Sequence, residues 1–104
     1  MALDRVDSPD SLIEGFADAL WMERGLSTNT LAAYQSDLRA FGAWLATERS
    51  LGLAGATRLD VLDYLTRLSQ QGLKPRSAAR RLSCLRQFYQ YLLRIGTLRD
   101  APSA

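Results

Sequence analysis

The chain has 104 residues, of which 47% are hydrophobic and 23% charged. This composition is typical of one globular domain and excludes a mostly disordered chain. With no histidine and one cysteine, Cys84, it lacks the usual zinc ligands, the usual base of nucleophilic catalysis and an internal disulfide. The net charge of +2 is unevenly distributed, with six acids and one arginine in residues 1–23 but seven bases and no acid in residues 74–99. This segregation indicates a polyanionic partner for the carboxy-terminal half.

Secreted and membrane proteins are also disfavoured. Asp4, Asp7 and Asp10 lie where a signal peptide needs an apolar core. No apolar run approaches the roughly 20 residues that a membrane-spanning helix requires. We therefore expect a cytoplasmic protein that needs no disulfide, metal or cofactor.

The first predicted helix begins with Pro9 at its first position and stops at Gly25. Its apolar residues recur at helical spacing: Leu12, Ile13, Phe16 and Leu20. Its polar face carries an acidic stripe, Asp10, Glu14 and Asp18. Because this stripe repels phosphate, we expect the helix to face away from any nucleic acid.

The second predicted helix follows a cap at Ser27 or Thr28. Its apolar face comprises Leu31, Tyr34, Leu38, Phe41 and Leu45. The opposite face carries small residues: Ala32, Ala33, Ser36, Ala40 and Ala43. These small residues either reflect helix propensity alone or let the helix lie close to a phosphate backbone or another helix.

The third predicted helix follows a connector at residues 51–56 and starts with a capping box of Thr57 and Asp60. Gly72 ends it. We expect its buried face to consist of Leu59, Leu62, Leu65 and Leu68. Since no strand-like alternation occurs anywhere in the chain, the predicted fold class is all-α with four helices.

The fourth predicted helix follows a tight turn at residues 73–77, where we expect Ser77 to be the cap. One face is apolar: Leu82, Leu85, Phe88, Tyr89 and Leu92. The opposite face is polar: Arg80, Ser83, Gln87 and Arg94. With Arg76 and Ser77 at its start, this helix suits contacts with phosphates and base edges.

None of the four tyrosines is expected to act as a nucleophile. Tyr34 and Tyr89 lie on apolar faces and are predicted to be core residues. Tyr64 and Tyr91 are predicted to be more exposed, but no histidine accompanies them. We therefore predict no catalytic residue in this chain.

Three segments carry a resemblance to a known family. FADALWMERGLSTNTLAAYQSDL at residues 16–38, SAARRLSCLRQFYQYL at 77–92 and DAPSA at 100–104 resemble the opening, last helix and exit of the core-binding domain of Xer-type tyrosine recombinases. The resemblance implies a four-helix SAM-like fold in which two helical hairpins pack crosswise. It also implies that residues 1–95 form the core-binding domain and that 96–104 begin a linker to a catalytic domain absent from this chain.

Double-stranded DNA is the partner that the resemblance implies, because the second and fourth helices of such domains face the major groove. On and before the second helix, the implied contacts are Thr28, Asn29, Thr30, Ala33 and Ser36. Around the fourth helix they are Lys74, Arg76, Ser77, Arg80 and Gln87. The helical wheel independently favours Asn29, Ser36, Arg80 and Gln87, whereas Thr30 falls nearer the apolar face.

The function implied is DNA binding in a site-specific recombinase for chromosome dimer resolution. In the full-length protein, a partner recombinase would join it in a tetrameric synapse, while the isolated domain would be a monomer that binds without cutting. Two alternatives stay open. One is a helix-turn-helix regulator in which residues 61–71 support a recognition helix that begins at Arg76. The other is a helical protein-interaction module whose basic face meets an acidic partner.

Overall fold

A computed structural model describes residues 9–98. Its four helices are α1 (Pro9–Arg24), α2 (Thr28–Arg49), α3 (Arg58–Gln70) and α4 (Pro75–Arg94), with a 3₁₀ turn at Leu53–Gly55. No strand occurs between residues 9 and 98. The all-α, four-helix prediction is therefore confirmed. Asp4, Asp7, Arg99 and the DAPSA segment lie outside the described residues.

Most helix ends follow the sequence signals. Gly25 and Gly72 adopt φ of +62° and +98° after α1 and α3, in the left-handed region that glycine enters without a steric penalty. Ser27 caps α2 by accepting a hydrogen bond from the Thr30 amide. Thr57 and Asp60 form the predicted capping box at the start of α3.

The start of α4 differs from the prediction. The helix begins at Pro75, with Lys74 as the capping residue and no capping hydrogen bond from a side chain. Ser77 lies inside the first turn, so the prediction that it caps the helix is wrong. The physical reason is Pro75, whose fixed φ suits the first helical position and whose missing N–H is not needed there.

Two helical hairpins, α1–α2 and α3–α4, pack around one core, with α2 and α4 in contact between them. The centre of the core is fully buried and comes from all three longer helices: Phe16, Leu38, Phe41, Leu45, Leu85, Phe88 and Leu92. Phe16 meets Phe88 edge-on with ring centroids 5.4 Å apart. The Tyr89 hydroxyl donates a 2.6 Å hydrogen bond to the Leu53 carbonyl, which fixes the 3₁₀ turn on α4.

The buried face of α3 is not the one predicted. Leu59 and Leu62 are 65% and 50% exposed, whereas Val61 and Tyr64 are buried. Leu65 and Leu68 are half-buried, as the turn of the helix carries them close to Val61. Leu59 lies about 160° around the helix from Val61, so it cannot share that face. The burial of Tyr64 also corrects the expectation that this side chain is exposed.

The chain remains packed on the core just after α4, where Leu98 is partly buried. The predicted domain boundary between residues 95 and 96 stays a prediction. None of the helices between residues 9 and 98 combines the length and apolarity needed to cross a bilayer.

Candidate nucleic-acid interface

The helices α2 and α4 run in opposite directions along their contact. Asp37 of α2 meets Arg80 of α4, and Tyr34, one turn earlier in α2, meets Gln87, two turns later in α4. The start of α2 therefore lies beside the later half of α4. We call the exposed polar surface that these two helices share the α2–α4 face. It comprises the predicted contacts of α2 together with Lys74, Arg76, Ser77, Arg80, Ser83 and Gln87.

The predicted contacts on α2 differ in how accessible they are. Thr28, Asn29 and Ser36 are exposed, whereas Thr30 and Ala33 are half-buried. The Thr30 amide donates to Ser27 Oγ at 3.2 Å, and Ser27 Oγ donates to Thr30 Oγ1 at 3.0 Å. Thr30 therefore serves the helix cap, which agrees with its place nearer the apolar face.

The start of α4 presents free positive charge. Lys74 and Arg76 are exposed and form no ion pair with any residue in the range 9–98, while Ser77 is half-buried. No side chain caps the first amides of this helix. The positive end of the helix dipole adds to the two cations, so an anion is favoured at this position.

Arg80 belongs to an ion-paired cluster at the middle of the α2–α4 face. Its Nε and Nη2 donate to the buried Asp37 carboxylate at 3.2 and 3.0 Å. Arg81 Nε lies 3.8 Å from the same carboxylate, and Arg81 Nη1 donates to the Tyr64 hydroxyl at 3.1 Å. The cluster thus ties α2, α3 and α4 together.

The ion pair orients Arg80 and leaves it accessible. Its side chain is 46% exposed, and a guanidinium has five N–H donors, of which Asp37 engages two. Because two arginines share one carboxylate, the cluster keeps one net positive charge. Arg76 lies one helical turn before Arg80, about 6 Å along the same side of α4.

Gln87 is the most fully engaged of the predicted contacts. Its Oε1 accepts a 2.9 Å hydrogen bond from Arg24 at the end of α1. Its Nε2 donates to the Tyr34 hydroxyl at 3.2 Å and to Ser83 Oγ at 3.1 Å. Both the acceptor and the donors of the amide are therefore occupied by protein groups.

The sequence analysis missed Asp37 and Arg24. A carboxylate three residues after Tyr34 and four before Phe41 lies at the edge of an apolar face, and this position signals a buried acid that needs a partner. Arg24 carries no local signal, because its partner Gln87 is 63 residues away in the chain.

The other polar groups near these helices have structural roles. Burial raises the pKa of the Tyr64 and Tyr89 hydroxyls, and it raises the pKa of the Cys84 thiol to about 12. All three groups stay protonated at neutral pH. Tyr89 holds the 3₁₀ turn, Tyr64 accepts from Arg81, and Cys84 lies 3.6 Å from the Tyr34 carbonyl.

The fold agrees with a match to a known family. The family model described as "Phage integrase, N-terminal SAM-like domain" matches residues 13–96. The chain belongs to this family of phage-integrase N-terminal SAM-like domains. No solved structure matches it.

The curated relatives belong to a narrower group than the family model describes. The chain is similar to the tyrosine recombinase XerD of Proteus mirabilis, with 47% identity over 95 residues that cover 91% of this chain and 30% of the relative. XerD of Pseudomonas aeruginosa is 50% identical over 92 residues, covering 88% of this chain and 30% of the relative. XerD of Pseudomonas putida is 54% identical over 83 residues, covering 80% and 28%. The chain spans about a third of the length of these relatives.

Proposed function

We propose that this chain is the DNA-binding domain of a site-specific tyrosine recombinase and that its α2–α4 face binds the recombination-site duplex. The observation that carries the proposal is the surplus of accessible positive charge on this face. Lys74 and Arg76 are free of ion pairs within residues 9–98, and the Arg80 cluster keeps a net positive charge. The similarity to XerD supports the same function.

The shape of the face suits the major groove of a duplex. That groove is about 12 Å wide and admits one α-helix. Ala33 and Ser36 have small side chains, so α2 can lie close to a phosphate backbone while α4 presents Arg76 and Arg80 to the base edges. An arginine that meets a guanine in the major groove makes two parallel hydrogen bonds.

The whole protein would act together with a partner recombinase and would contain a catalytic part in addition to this domain. As a cytoplasmic recombinase it would join a partner recombinase in a tetrameric synapse and resolve chromosome dimers, with its catalytic tyrosine in the remaining part. The described chain would bind DNA as a monomer without cutting it. Its affinity should be about micromolar or weaker, because it would bind without the further DNA contacts that a catalytic domain would make on the other face of the duplex.

An anisotropy titration tests the proposal. The 104-residue chain is titrated into a duplex with recombination-type palindromic arms and into a scrambled duplex, each at two salt concentrations. The expected log–log slope against salt is about −3 to −6, since each neutralised phosphate contributes about −0.9. Binding that is equally weak for both duplexes and insensitive to salt would instead favour a protein-interaction module.

Arg76→Ala and Arg80→Ala locate the binding surface. Each substitution should cost about 1 to 3 kcal/mol of binding free energy and relax the preference for the specific duplex, because each removes a base-edge contact. Arg58→Ala is the matched control, because Arg58 is an exposed arginine at the start of α3 and therefore lies outside the α2–α4 face. If both test variants bind as tightly as the parent, the α2–α4 face is not the DNA-binding surface.

One observation favours a second candidate, a helix-turn-helix regulator. Only four residues, 71–74, join α3 to α4, which is the length of the turn in that motif. A helix-turn-helix dimer binds two half-sites about one helical turn apart, whereas the proposed domain binds one arm as a monomer. Sedimentation of the complex on a single arm therefore distinguishes them, since only the regulator needs two chains and a palindrome.

A further inference from the structure

A cleft of about 260 Å³ lies between α1 and α4, at the end of the α2–α4 face beside the start of α2. Its apolar floor includes Phe16, Leu20 and Tyr91. Its polar lining is Glu23, Arg24, Arg86, Gln87, Gln90 and Arg94. We call it the α1–α4 cleft. The sequence analysis placed no binding site on α1, because all of the charged residues of this helix except Arg24 are acidic.

The charges of the cleft favour an anion. Glu23 is paired with Arg94 at 2.8 Å. Arg24 and Arg86 are exposed and have no carboxylate partner in the part of the chain that the structure describes. Three arginines and one acid therefore leave the cleft with two unneutralised positive charges.

Gln87 fixes the position of Arg24. Its Nε2 donates to Tyr34 and Ser83, so its Oε1 must point the other way, towards Arg24 Nη1 at 2.9 Å. This single bond engages one of the five donors of the Arg24 guanidinium. The remaining donors suit a phosphate oxygen, which binds a guanidinium through charge-assisted hydrogen bonds.

We propose that the α1–α4 cleft binds a backbone phosphate of the DNA between Arg24 and Arg86, and that Gln87 is a positioning residue for Arg24. This inference rests on the proposed function. Along α4, Arg76 and Gln87 are about 16 Å apart, which exceeds the roughly 12 Å width of the major groove. The start of α4 and the cleft therefore contact phosphates on opposite sides of that groove, with Arg80 between them.

The first test is Arg24→Ala in the 104-residue chain, measured by anisotropy at several salt concentrations. The affinity should fall about tenfold for the specific and the scrambled duplex alike, because a phosphate contact carries no sequence information. The salt slope should become less steep by about 0.9. Arg24→Lys should keep most of that slope, since it retains the charge, and Arg58→Ala should change neither quantity.

The second test separates positioning from base reading at Gln87. If Gln87 acts through Arg24, then Gln87→Ala lowers the affinity for both duplexes by a similar factor. The variant that combines Gln87→Ala with Arg24→Ala should then bind no more weakly than Arg24→Ala alone. A change in the preference for the specific duplex, with an unchanged salt slope, would overturn the positioning role.

The outcomes distinguish this inference from the function on which it rests. If the parent binds neither duplex, the proposed function fails and the inference fails with it. If the parent binds and loses affinity with Arg76→Ala, yet Arg24→Ala binds like the parent with the same salt slope, the function stands and the cleft is not a phosphate site.

Discussion

Two polar clusters of this domain look alike but differ in charge and in what they connect. In one, Asp37 of α2 is shared by Arg80 and Arg81 of α4. In the other, Arg49 at the end of α2 is shared by Asp60 and Asp63 of α3, at 3.1 and 2.8 Å. The first keeps one net positive charge and the second one net negative charge.

The hydrogen bonds of the two buried acids explain the difference. Asp60 also accepts from the Thr57 amide and hydroxyl at 2.8 and 3.0 Å, so it belongs to the capping box that starts α3. Within residues 9–98, the partners of the Asp37 carboxylate are Arg80 and Arg81, and the side chain of Arg80 remains 46% exposed. We infer that the Asp60 cluster stabilises the fold, whereas the Asp37 cluster holds a cation on the proposed DNA-binding face.

The largest expected effect is the loss of stability in Asp60→Ala. The substitution removes the capping box and a partner of Arg49, so the free energy of unfolding should fall by about 2 kcal/mol. Asp63→Ala, which removes the more exposed partner of the same arginine, should cost less than about 1 kcal/mol. Urea denaturation measures both, and DNA affinity should be unchanged in each. A loss of DNA affinity in the folded Asp60→Ala variant would contradict a purely structural role for the Asp60 cluster.

The next effect is on sequence preference. Asp37→Asn keeps the size of the side chain but removes the charge that fixes Arg80, so the ratio of specific to non-specific affinity should fall by about tenfold. Affinity for a scrambled duplex should rise by about threefold, because the face gains one positive charge. Asp63→Asn makes the same change of charge in the other cluster and should alter neither value. An unchanged ratio in Asp37→Asn would show that DNA recognition does not use the fixed position of Arg80.

How far the sequence predicts this molecule depends on the distance between interacting residues. The end of α1 at Gly25, the cap of α2 at Ser27 and the capping box of α3 were predictable. Each of these signals lies within one helical turn of the feature that it predicts. The buried face of α3 was not, since its leucines are spread around the helix and only packing selects Val61 and Tyr64. The polar side of α4 was predictable from periodicity. Its partners were not, because Arg80 and Asp37 are separated by 43 residues.

A smaller effect is expected in the acid stability of the domain. The hydrogen bond from the Thr57 amide, with help from Arg49, lowers the pKa of Asp60 below its ordinary value of 3.8. A carboxyl group with a lowered folded-state pKa contributes stability that is fully present above 3.8 and is lost as the pH falls through the folded-state value. Asp60→Asn should therefore flatten the decline of unfolding free energy below about pH 4. Denaturant titrations across that range check this, and an equally steep decline in the variant would assign it to other groups.

The smallest expected effect concerns the acidic stripe of α1. Asp10→Lys, Glu14→Lys and Asp18→Lys place new positive charge away from the α2–α4 face and should not reduce affinity for the specific duplex. Anisotropy titrations at low salt give the most sensitive comparison, because screening is then weakest. A clear loss of affinity in any of the three would place the amino-terminal half of α1 at the duplex.

The most direct test of the account is a nuclear magnetic resonance titration of the ¹⁵N-labelled chain with a recombination-type duplex. If the α2–α4 face binds DNA, the amide signals of Asn29, Ser36, Arg76 and Ser83 shift together as duplex is added, while those of Asp10, Glu14 and Arg58 stay in place. Shifts centred on the amino-terminal half of α1, with Arg76 and Ser83 unchanged, would contradict the account.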